Sequence, residues 1–138
     1  FLELKKVPGG ASSSDDEIAE YAKNDSEFLK CQIMIYNPDI IICCGRGNGK
    51  NADLLYEYVF DDVEKSKWSQ KPAANKYNYF FAIINGKEIP VVSFVHPQMR
   101  GGHKKYLEYY NDMKAIRSEL LSSTHDIEKK SDSYFIIP

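Results

Sequence analysis

The stretch Asp39-Ile40-Ile41-Ile42-Cys43-Cys44-Gly45 carries the clearest fold signal in the chain. It is a short, continuous apolar run, rich in β-branched residues, that begins after a proline and ends at a glycine. Such a run is typical of a central strand that is buried on both faces, as the parallel strands of α/β proteins are. We therefore predict that residues 39–44 form the core strand of a sheet.

Apolar residues with helical spacing occur both before and after this strand in the sequence. Ser14 and Glu17 fit a capping box, and the apolar spacing after them predicts one helix that ends at Asn37-Pro38. A shorter helix is predicted over residues 52–59, and a long amphipathic helix over residues 102–122. The apolar face predicted for the long helix consists of Tyr106, Leu107, Tyr110, Met113, Ile116, Leu120 and Leu121.

The remaining strand signals complete an alternating order. Residues 1–6 read as a short strand, and residues 79–84 and 88–95 flank Asn85-Gly86, which is a strong hairpin signal. Alternation of strands and helices predicts an α/β fold with three layers, α/β/α, around a mostly parallel central sheet. We predict one domain over residues 1–122 and a tail over residues 123–138. The end of this tail is apolar and is compatible with one additional strand at the edge of the sheet.

Composition limits the classes of partner. The 138 residues suffice for one domain, and the net charge of −2 means that a nucleic acid must be held by a local basic patch. Cys31, Cys43 and Cys44 lack metal-site spacing, so we predict three buried thiols in a reducing, cytoplasmic compartment. No stretch approaches the roughly 20 apolar residues that span a bilayer. We expect a monomer with no membrane partner.

Ligands of parallel sheets gather at the carboxyl ends of the strands, and a glycine-rich loop follows the core strand here. The segment Gly45-Arg46-Gly47-Asn48-Gly49-Lys50 superficially looks like a phosphate loop, but it fits neither GxxxxGK[ST] nor GxGxxG. The plain interpretation is a tight turn that lets a backbone or a ligand come close. Arg46 and Lys50 could still contact a phosphate at the start of the next helix.

The loop after the second hairpin strand is the best candidate for a working site. It reads His96-Pro97-Gln98-Met99-Arg100-Gly101-Gly102, and His103, Lys104 and Lys105 follow in the first turn of the long helix. Three formal positive charges and no acid lie between His96 and Lys105. The alternative interpretation is a hydrogen-bonded histidine at a strand end beside a solvated basic turn.

Aromatic and acidic clusters have simpler structural interpretations. Tyr77, Tyr79, Phe80 and Phe81 could stack on bases, but strand core and cross-strand pairs are the favoured interpretation. A helical spacing relates the carboxylates of Asp53, Glu57, Asp61 and Glu64. Because no histidine joins them, a solvated acidic face is favoured over a metal site. Trp68 indicates either a contact surface or a small satellite core.

Three segments, in this order, resemble successive parts of the uracil-DNA glycosylase superfamily. They are Leu4-Lys5-Lys6-Val7-Pro8-Gly9-Gly10, Asn37-Pro38-Asp39-Ile40-Ile41-Ile42-Cys43-Cys44-Gly45, and Pro90-Val91-Val92-Ser93-Phe94-Val95-His96-Pro97. The resemblance covers about residues 1 to 120 and corresponds to the C-terminal two-thirds of a family domain.

This resemblance implies a three-layer fold, base flipping and no metal or other cofactor, because water is the nucleophile. His96 would donate a hydrogen bond to the carbonyl oxygen of the departing uracil. The other implied roles are base-pocket lining by Glu3 and Gly45, duplex probing by Gln98, Met99 and Arg100, and phosphate contacts by Lys104 and Lys105.

Two departures from the family pattern bear on activity. The segment that positions water in the family would precede Phe1, and Glu3 stands where the family often has an asparagine that reads the base edge. An ionised glutamate only accepts hydrogen bonds, whereas asparagine also donates.

We therefore predict a uracil-DNA glycosylase-like protein that recognises a flipped base in DNA, single- or double-stranded. Hydrolysis of the N-glycosidic bond stays open, and this chain alone is expected to be weak or inactive. The alternatives are a non-catalytic DNA- or protein-binding domain on the same fold, and a small-molecule hydrolase or transferase that uses the same cleft.

Overall fold

The computed structural model describes residues 14–45, 50–95, 102–121 and 134–137, which form a mixed α/β fold. The helices are α1 (Asp15–Asn24), α2 (Ser26–Tyr36), α3 (Lys50–Leu54), which continues into a π-helical turn (Leu55–Val59), and α4 (Gly102–Leu121). The strands are β1 (Ile40–Gly45), β2 (Tyr79–Ile84), β3 (Lys87–Val95) and β4 (Tyr134–Ile137). The strand predicted over residues 1–6 lies outside these ranges.

The sheet is mixed and has the order β2-β3-β1-β4. β1 runs parallel to both of its neighbours, β3 and β4, whereas β2 and β3 pair antiparallel. Residues Ile40 to Cys44 of β1 are all buried, which confirms the prediction that this run forms a central strand. The α/β class is therefore correct.

The hairpin between β2 and β3 has the predicted two-residue turn. Asn85 has a φ of 53° and Gly86 a φ of 74°, so both residues lie in the left-handed region that type I′ turns require. Ile84 and Lys87 pair directly across the turn. The Asn85 amide also donates a hydrogen bond of 2.9 Å to the carbonyl oxygen of Met34, which fastens the turn to α2.

The outer edge of β2 is covered by the segment over residues 64–69. The backbone N–H of Ile83 donates to the carbonyl oxygen of Glu64, and the N–H groups of Ser66 and Ser69 donate to the carbonyl oxygens of Phe81 and Tyr79, each at 2.8 Å. This loop therefore satisfies the exposed edge of the sheet, which would otherwise be open to pairing with another chain.

Buried side chains form two clusters, one on each face of β1. On the α2–α3 face, α2, α3 and the π-helical turn pack against the sheet through Leu29, Ile33, Ala52, Leu55, Val59, Phe60, Ile41, Cys43, Phe80, Ala82, Ile84, Ile89 and Val91. On the α4 face, the buried residues are Ile40, Ile42, Cys44, Ala73, Tyr77, Val92, Ile116 and Leu120. Alternate residues of β1 point to opposite faces, so β1 contributes to both clusters.

The prediction of one helix between Ser14 and Tyr36 is wrong in one respect. The Ser14 hydroxyl accepts a hydrogen bond of 3.1 Å from the backbone N–H of Glu17, as the capping box predicts. However, α1 ends at Asn24 and is capped by Asp25, whose N–H donates to the Tyr21 carbonyl oxygen, and α2 begins at Ser26. The polar run Asn24-Asp25-Ser26 consists of residues that favour caps and turns over helix interiors.

The prediction that Cys31 is a buried thiol is also wrong. Cys31 is exposed, because Leu29 and Ile33 turn the opposite side of α2 toward the core. Only the second half of the apolar face of α4 is covered: Ile116 is fully buried, while Tyr106 and Tyr110 are more than half exposed. Among the described helices, none is both long and apolar enough to cross a bilayer.

Candidate functional site

The carboxyl ends of β1 and β3 lie side by side. Gly45, the last residue of β1, pairs in parallel register with Val95, the last residue of β3. The next described residues along the chain are Lys50, which begins α3, and Gly102, which begins α4. We call this edge the strand-end site and define it by Cys44, Gly45, Phe94, Val95, Lys50 and Asn51.

Gly45 allows the side chain of Asn51 to approach the end of β1. The Asn51 amide Nδ2 donates a hydrogen bond to the carbonyl oxygen of Cys44. A Cβ atom added to Gly45 would lie 3.3 Å from the same Nδ2 atom, so a larger residue would press on Asn51. Sequence reasoning identified Gly45 and missed Asn51. The available signal was a short amide side chain in the first turn of a helix after a strand.

Lys50 brings the start of α1 to the same edge. Its Nζ atom forms an ion pair with a carboxylate oxygen of Asp15, in the first turn of α1, and both side chains are about half exposed. An exposed ion pair of this kind contributes little to stability and exchanges with solvent ions. The phosphate contact predicted for Lys50 stays a prediction, and a phosphate would compete there with Asp15.

Aromatic rings support the end of β3 on the α4 face. The ring of Phe94 lies 4.6 Å from that of Tyr77 and 6.1 Å from that of Tyr109, measured between centroids. The Tyr77 hydroxyl donates a hydrogen bond of 2.7 Å to Asp112 Oδ2, which ties this support to α4. Burial, and then the hydrogen bond to Asp112, raises the pKa of Tyr77 above its ordinary value.

The other aromatic residues considered as candidates for base stacking mostly pack in the hydrophobic core. Phe80 is fully buried and Tyr77 is 7% exposed, so the core interpretation is confirmed for both. Trp68 packs against Tyr56 and Phe80, with centroid distances of 5.5 and 4.9 Å, and belongs to the core on the α2–α3 face.

The two cysteines of β1 are poor nucleophiles. Burial raises the pKa of the Cys44 thiol to about 11 and raises that of Cys43 well above its ordinary value. Since the thiolate is the reactive form, neither side chain suits covalent chemistry near neutral pH.

Asp53 differs from the solvated acidic face that its sequence spacing predicted. It is partly buried, and burial, followed by the charge of Glu57, raises the pKa of its carboxyl. By contrast, Glu57, Asp61 and Glu64 are exposed. Within the ranges that the structure describes, no three His, Cys, Asp or Glu side chains cluster as metal ligands do.

The structure brings together only part of the predicted site. Gly45 and Lys50 meet at the strand-end site, and Lys104 and Lys105 are exposed in the first turn of α4. Six predicted residues lie outside the described ranges: Glu3, Arg46, His96, Gln98, Met99 and Arg100. In the sequence, Arg46 directly follows Gly45 and His96 directly follows Val95.

A small cavity of about 80 Å³ lies at the opposite end of the sheet, beside the hairpin turn. Its lining consists of Lys30, Ile33, Met34, Phe60, Val63, Ile83, Ile84 and Asn85. Ligand pockets measure roughly 300–1,000 Å³, so this cavity is too small for a ligand. Its one cationic side chain, Lys30, is paired with Asp62 and Glu27, which raises the pKa of its ammonium group.

Comparisons with protein-family models, with curated proteins and with solved structures found no match to this chain.

Proposed function

We propose that this chain is a DNA-binding domain of the uracil-DNA glycosylase type, which recognises a base flipped out of the stack. The observation that carries the proposal is the parallel pairing of Gly45 with Val95. Of the three segments that resemble the family, one ends at Gly45 and another runs two residues beyond Val95. Loops that follow neighbouring parallel strands leave the sheet at the same edge. The three-layer α/β/α architecture of the family belongs to the same proposal, and the helices packed on both faces of β1 support it.

His96 is the residue to which we assign the chemistry. When an N-glycosidic bond breaks, the bonding electron pair leaves with the base and negative charge develops on the base carbonyl oxygen. A positioned N–H donor at that oxygen stabilises the charge, and such a donor typically changes rates by about 100- to 1,000-fold. His96 directly follows β3, whose residues Val91 and Val92 are fully buried, so its backbone is attached to a rigid element.

The described side chains at the ends of β1 and β3 are uncharged and fit a base. Gly45 lacks a side chain and lies against Asn51, and on the α4 face the ring of Phe94 packs on that of Tyr77. Four cationic residues are proposed to hold the phosphates on either side of the flipped base: Arg46 after β1, Lys50 at the start of α3, and Lys104 and Lys105 on α4. Gln98, Met99 and Arg100 are proposed to fill the space that the base vacates.

The test is base release from fluorescent oligonucleotides, single-stranded and duplex, with uracil or thymine at one position. Wild-type chain, His96→Ala and the control His125→Ala are compared at two salt concentrations, and abasic product is detected by alkaline cleavage. We expect salt-sensitive binding by all three chains, and release of uracil that only His96→Ala reduces. Release that survives His96→Ala would remove this residue from the mechanism, and absence of binding at low salt would overturn the proposal.

Glu3 offers a second test of the same pocket. If Glu3 faces the base edge, Glu3→Asn restores a donor and raises uracil release relative to wild type, because uracil presents both acceptors and a donor. Glu3→Ala is the control, since it removes the carboxylate without adding a donor. Equal release by the two variants would show that this position does not read the base.

The second candidate is a non-catalytic DNA- or protein-binding domain on the same fold. The presence of Glu3 where the family often has asparagine favours it, and so does the ion pair between Lys50 and Asp15, which neutralises a cation at the strand-end site. Binding by wild type without any base release, in single-turnover conditions with excess protein, would favour this candidate over the enzyme.

A further inference from the structure

The first half of α4 exposes large apolar side chains. Tyr106 and Tyr110 are each 58% exposed and Leu107 is 52% exposed, whereas Ile116 and Leu120, farther along the same helix, are buried. Residues four apart in a helix lie on one face, so Tyr106, Tyr110 and Lys114 form a line. We call Tyr106, Leu107, Tyr110 and Lys114 the α4 ridge.

The charges of α4 are separated around the helix. All three of its carboxylates contact the loop over residues 74–77. Glu108 and Asp112 pair with Lys76 Nζ at 2.9 and 3.0 Å, and Glu119 accepts a hydrogen bond of 2.9 Å from the backbone N–H of Ala74. The negative charge of the helix is therefore directed toward that loop.

The α4 ridge carries positive charge instead. Lys114 Nζ lies 4.9 Å from the centroid of the Tyr110 ring, a cation–π arrangement, and Lys104 is exposed one turn before Leu107. Exposed aromatic faces interleaved with cations are the arrangement that binds the stacked bases and the phosphates of a single strand. In a duplex, the faces of the bases are covered by their neighbours, so such a ridge favours single-stranded nucleic acid.

α4 contacts the end of β3 through Tyr109, whose ring lies 6.1 Å from that of Phe94 between centroids. α4 starts at Gly102, and at 1.5 Å of rise per residue Tyr106 lies about 6 Å along the axis from that start, and Lys114 about 18 Å. A strand that places one base at the strand-end site could thus continue along the ridge over a few nucleotides.

We infer that the α4 ridge is a binding surface for single-stranded nucleic acid, on which bases stack against Tyr106 and Tyr110 while Lys104 and Lys114 contact phosphates. The inference rests on the proposed function in taking nucleic acid as the partner, and it names the single strand as the preferred form. It does not require base release.

The test measures binding of a fluorescent single-stranded oligonucleotide without uracil to wild type and to Tyr106→Ser/Tyr110→Ser. The control is Tyr36→Ser, which removes a tyrosine of similar exposure (56%) from α2. Since stacking of a base on an aromatic side chain changes affinity by about 5- to 150-fold, we expect the double variant to weaken binding by at least about 10-fold. Tyr36→Ser should leave the affinity unchanged, and Tyr106→Phe/Tyr110→Phe should retain it.

A strand with abasic positions identifies the stacking contribution. On that strand the double Ser variant and wild type should bind alike, because no base is present to stack, whereas Lys114→Ser should still weaken binding and lower its salt dependence. Equal binding of the intact strand by wild type and the double Ser variant would overturn the inference. A double variant that changes only self-association, measured by sedimentation, would assign the ridge to a protein contact and would also overturn it.

The two proposals fail separately in these experiments. If the ridge variants weaken binding but His96→Ala has no effect on release, the proposed chemistry is wrong and the ridge stands. If base release depends on His96 while the ridge variants bind normally, the proposed chemistry stands and the assignment of the α4 ridge is wrong.

Discussion

The two faces of the sheet are built from different kinds of contact. On the α2–α3 face, the rings of Tyr56, Phe60 and Trp68 surround Phe80 at centroid distances from 4.8 to 6.3 Å, and the polar contacts of Lys30 with Asp62 and of Asn85 with Met34 lie around this aromatic centre. On the α4 face, the buried apolar cluster is joined by the polar contacts of Lys76 and Tyr77 to the carboxylates of α4.

This difference suggests that the two faces have different roles, in which one stabilises the fold and the other positions α4. Apolar burial contributes in proportion to area and tolerates small shifts, whereas hydrogen bonds and ion pairs depend on direction and fix how a helix lies. The α2–α3 face therefore supplies most of the core. The α4 face holds one helix at a defined orientation, with Tyr106 and Leu107 exposed in its second turn and Tyr109 against Phe94 at the end of β3.

The largest expected effect is the loss of Phe80. Its side chain is fully buried among three other rings, so Phe80→Ala should lower the free energy of unfolding by about 3–5 kcal/mol, as measured by urea denaturation. The matched change on the other face, Ile116→Ala, should cost about 2–4 kcal/mol. An Ile116→Ala cost equal to or above that of Phe80→Ala would contradict the assignment of the main core to the α2–α3 face.

A smaller effect is expected at Tyr77, and it should depend on pH. Tyr77→Phe removes the hydrogen bond to Asp112 and should cost about 1 kcal/mol at neutral pH. Burial raises the pKa of Tyr77 in the folded state above its ordinary value of about 10. The folded state therefore favours the protonated hydroxyl, and this stabilisation is present below about pH 10 and is lost as the pH rises above it.

The measurement is urea unfolding of wild type and Tyr77→Phe at pH 8 and at several values above pH 10. The difference between the two chains should shrink as the pH rises. The partly buried Tyr79, changed to Phe, serves as the control, because it packs against the same cluster as Tyr77. A constant difference between wild type and Tyr77→Phe across this range would show that the hydroxyl does not couple to folding.

The smallest expected effect is a gain in the free energy of unfolding when Ala74 is replaced by glycine. This residue has a φ of 49°, in the left-handed region that side chains with a Cβ rarely adopt, within the loop that contacts α4. Ala74→Gly relieves this conformation but adds freedom to the unfolded chain, so a net gain of about 0.5 kcal/mol is expected. Thermal unfolding measures it, and Ala115→Gly in the interior of α4 should instead destabilise by about 1 kcal/mol.

Local signals in the sequence predicted much of this fold. The Asn85-Gly86 turn, the Ser14 cap and the apolar run of β1 each depend on residues that are close together in the chain, and each is present in the structure. What the sequence could not predict depends on distant partners. The exposure of Cys31 is one case, since periodicity does not reveal which neighbour will cover a helix.

The candidate site divides in the same way. Gly45 was identified from its position after a buried strand, and the structure gives it the neighbour Val95 and the contact with Asn51. The Lys50–Asp15 ion pair joins residues from separate elements, and no local pattern indicates it. The tyrosines of α4 fit the helical apolar pattern, but that pattern does not indicate which part of the face is covered, because it does not contain the length of the surface against which the helix packs.

The order of strands in the sheet also bears on how the chain folds. β2 and β3 are joined by a two-residue turn, and hairpins of this kind form in about 1–10 μs. β1 pairs with strands that are distant in sequence: Ile41 lies beside Val91, and Ile40 beside Tyr134. Closing these long loops precedes the gain from pairing, so the parallel contacts should limit the folding rate. In pulse-labelled hydrogen exchange during refolding, amides of the hairpin should gain protection before those of β1. Until β1 pairs, its apolar residues are exposed and can associate with other chains.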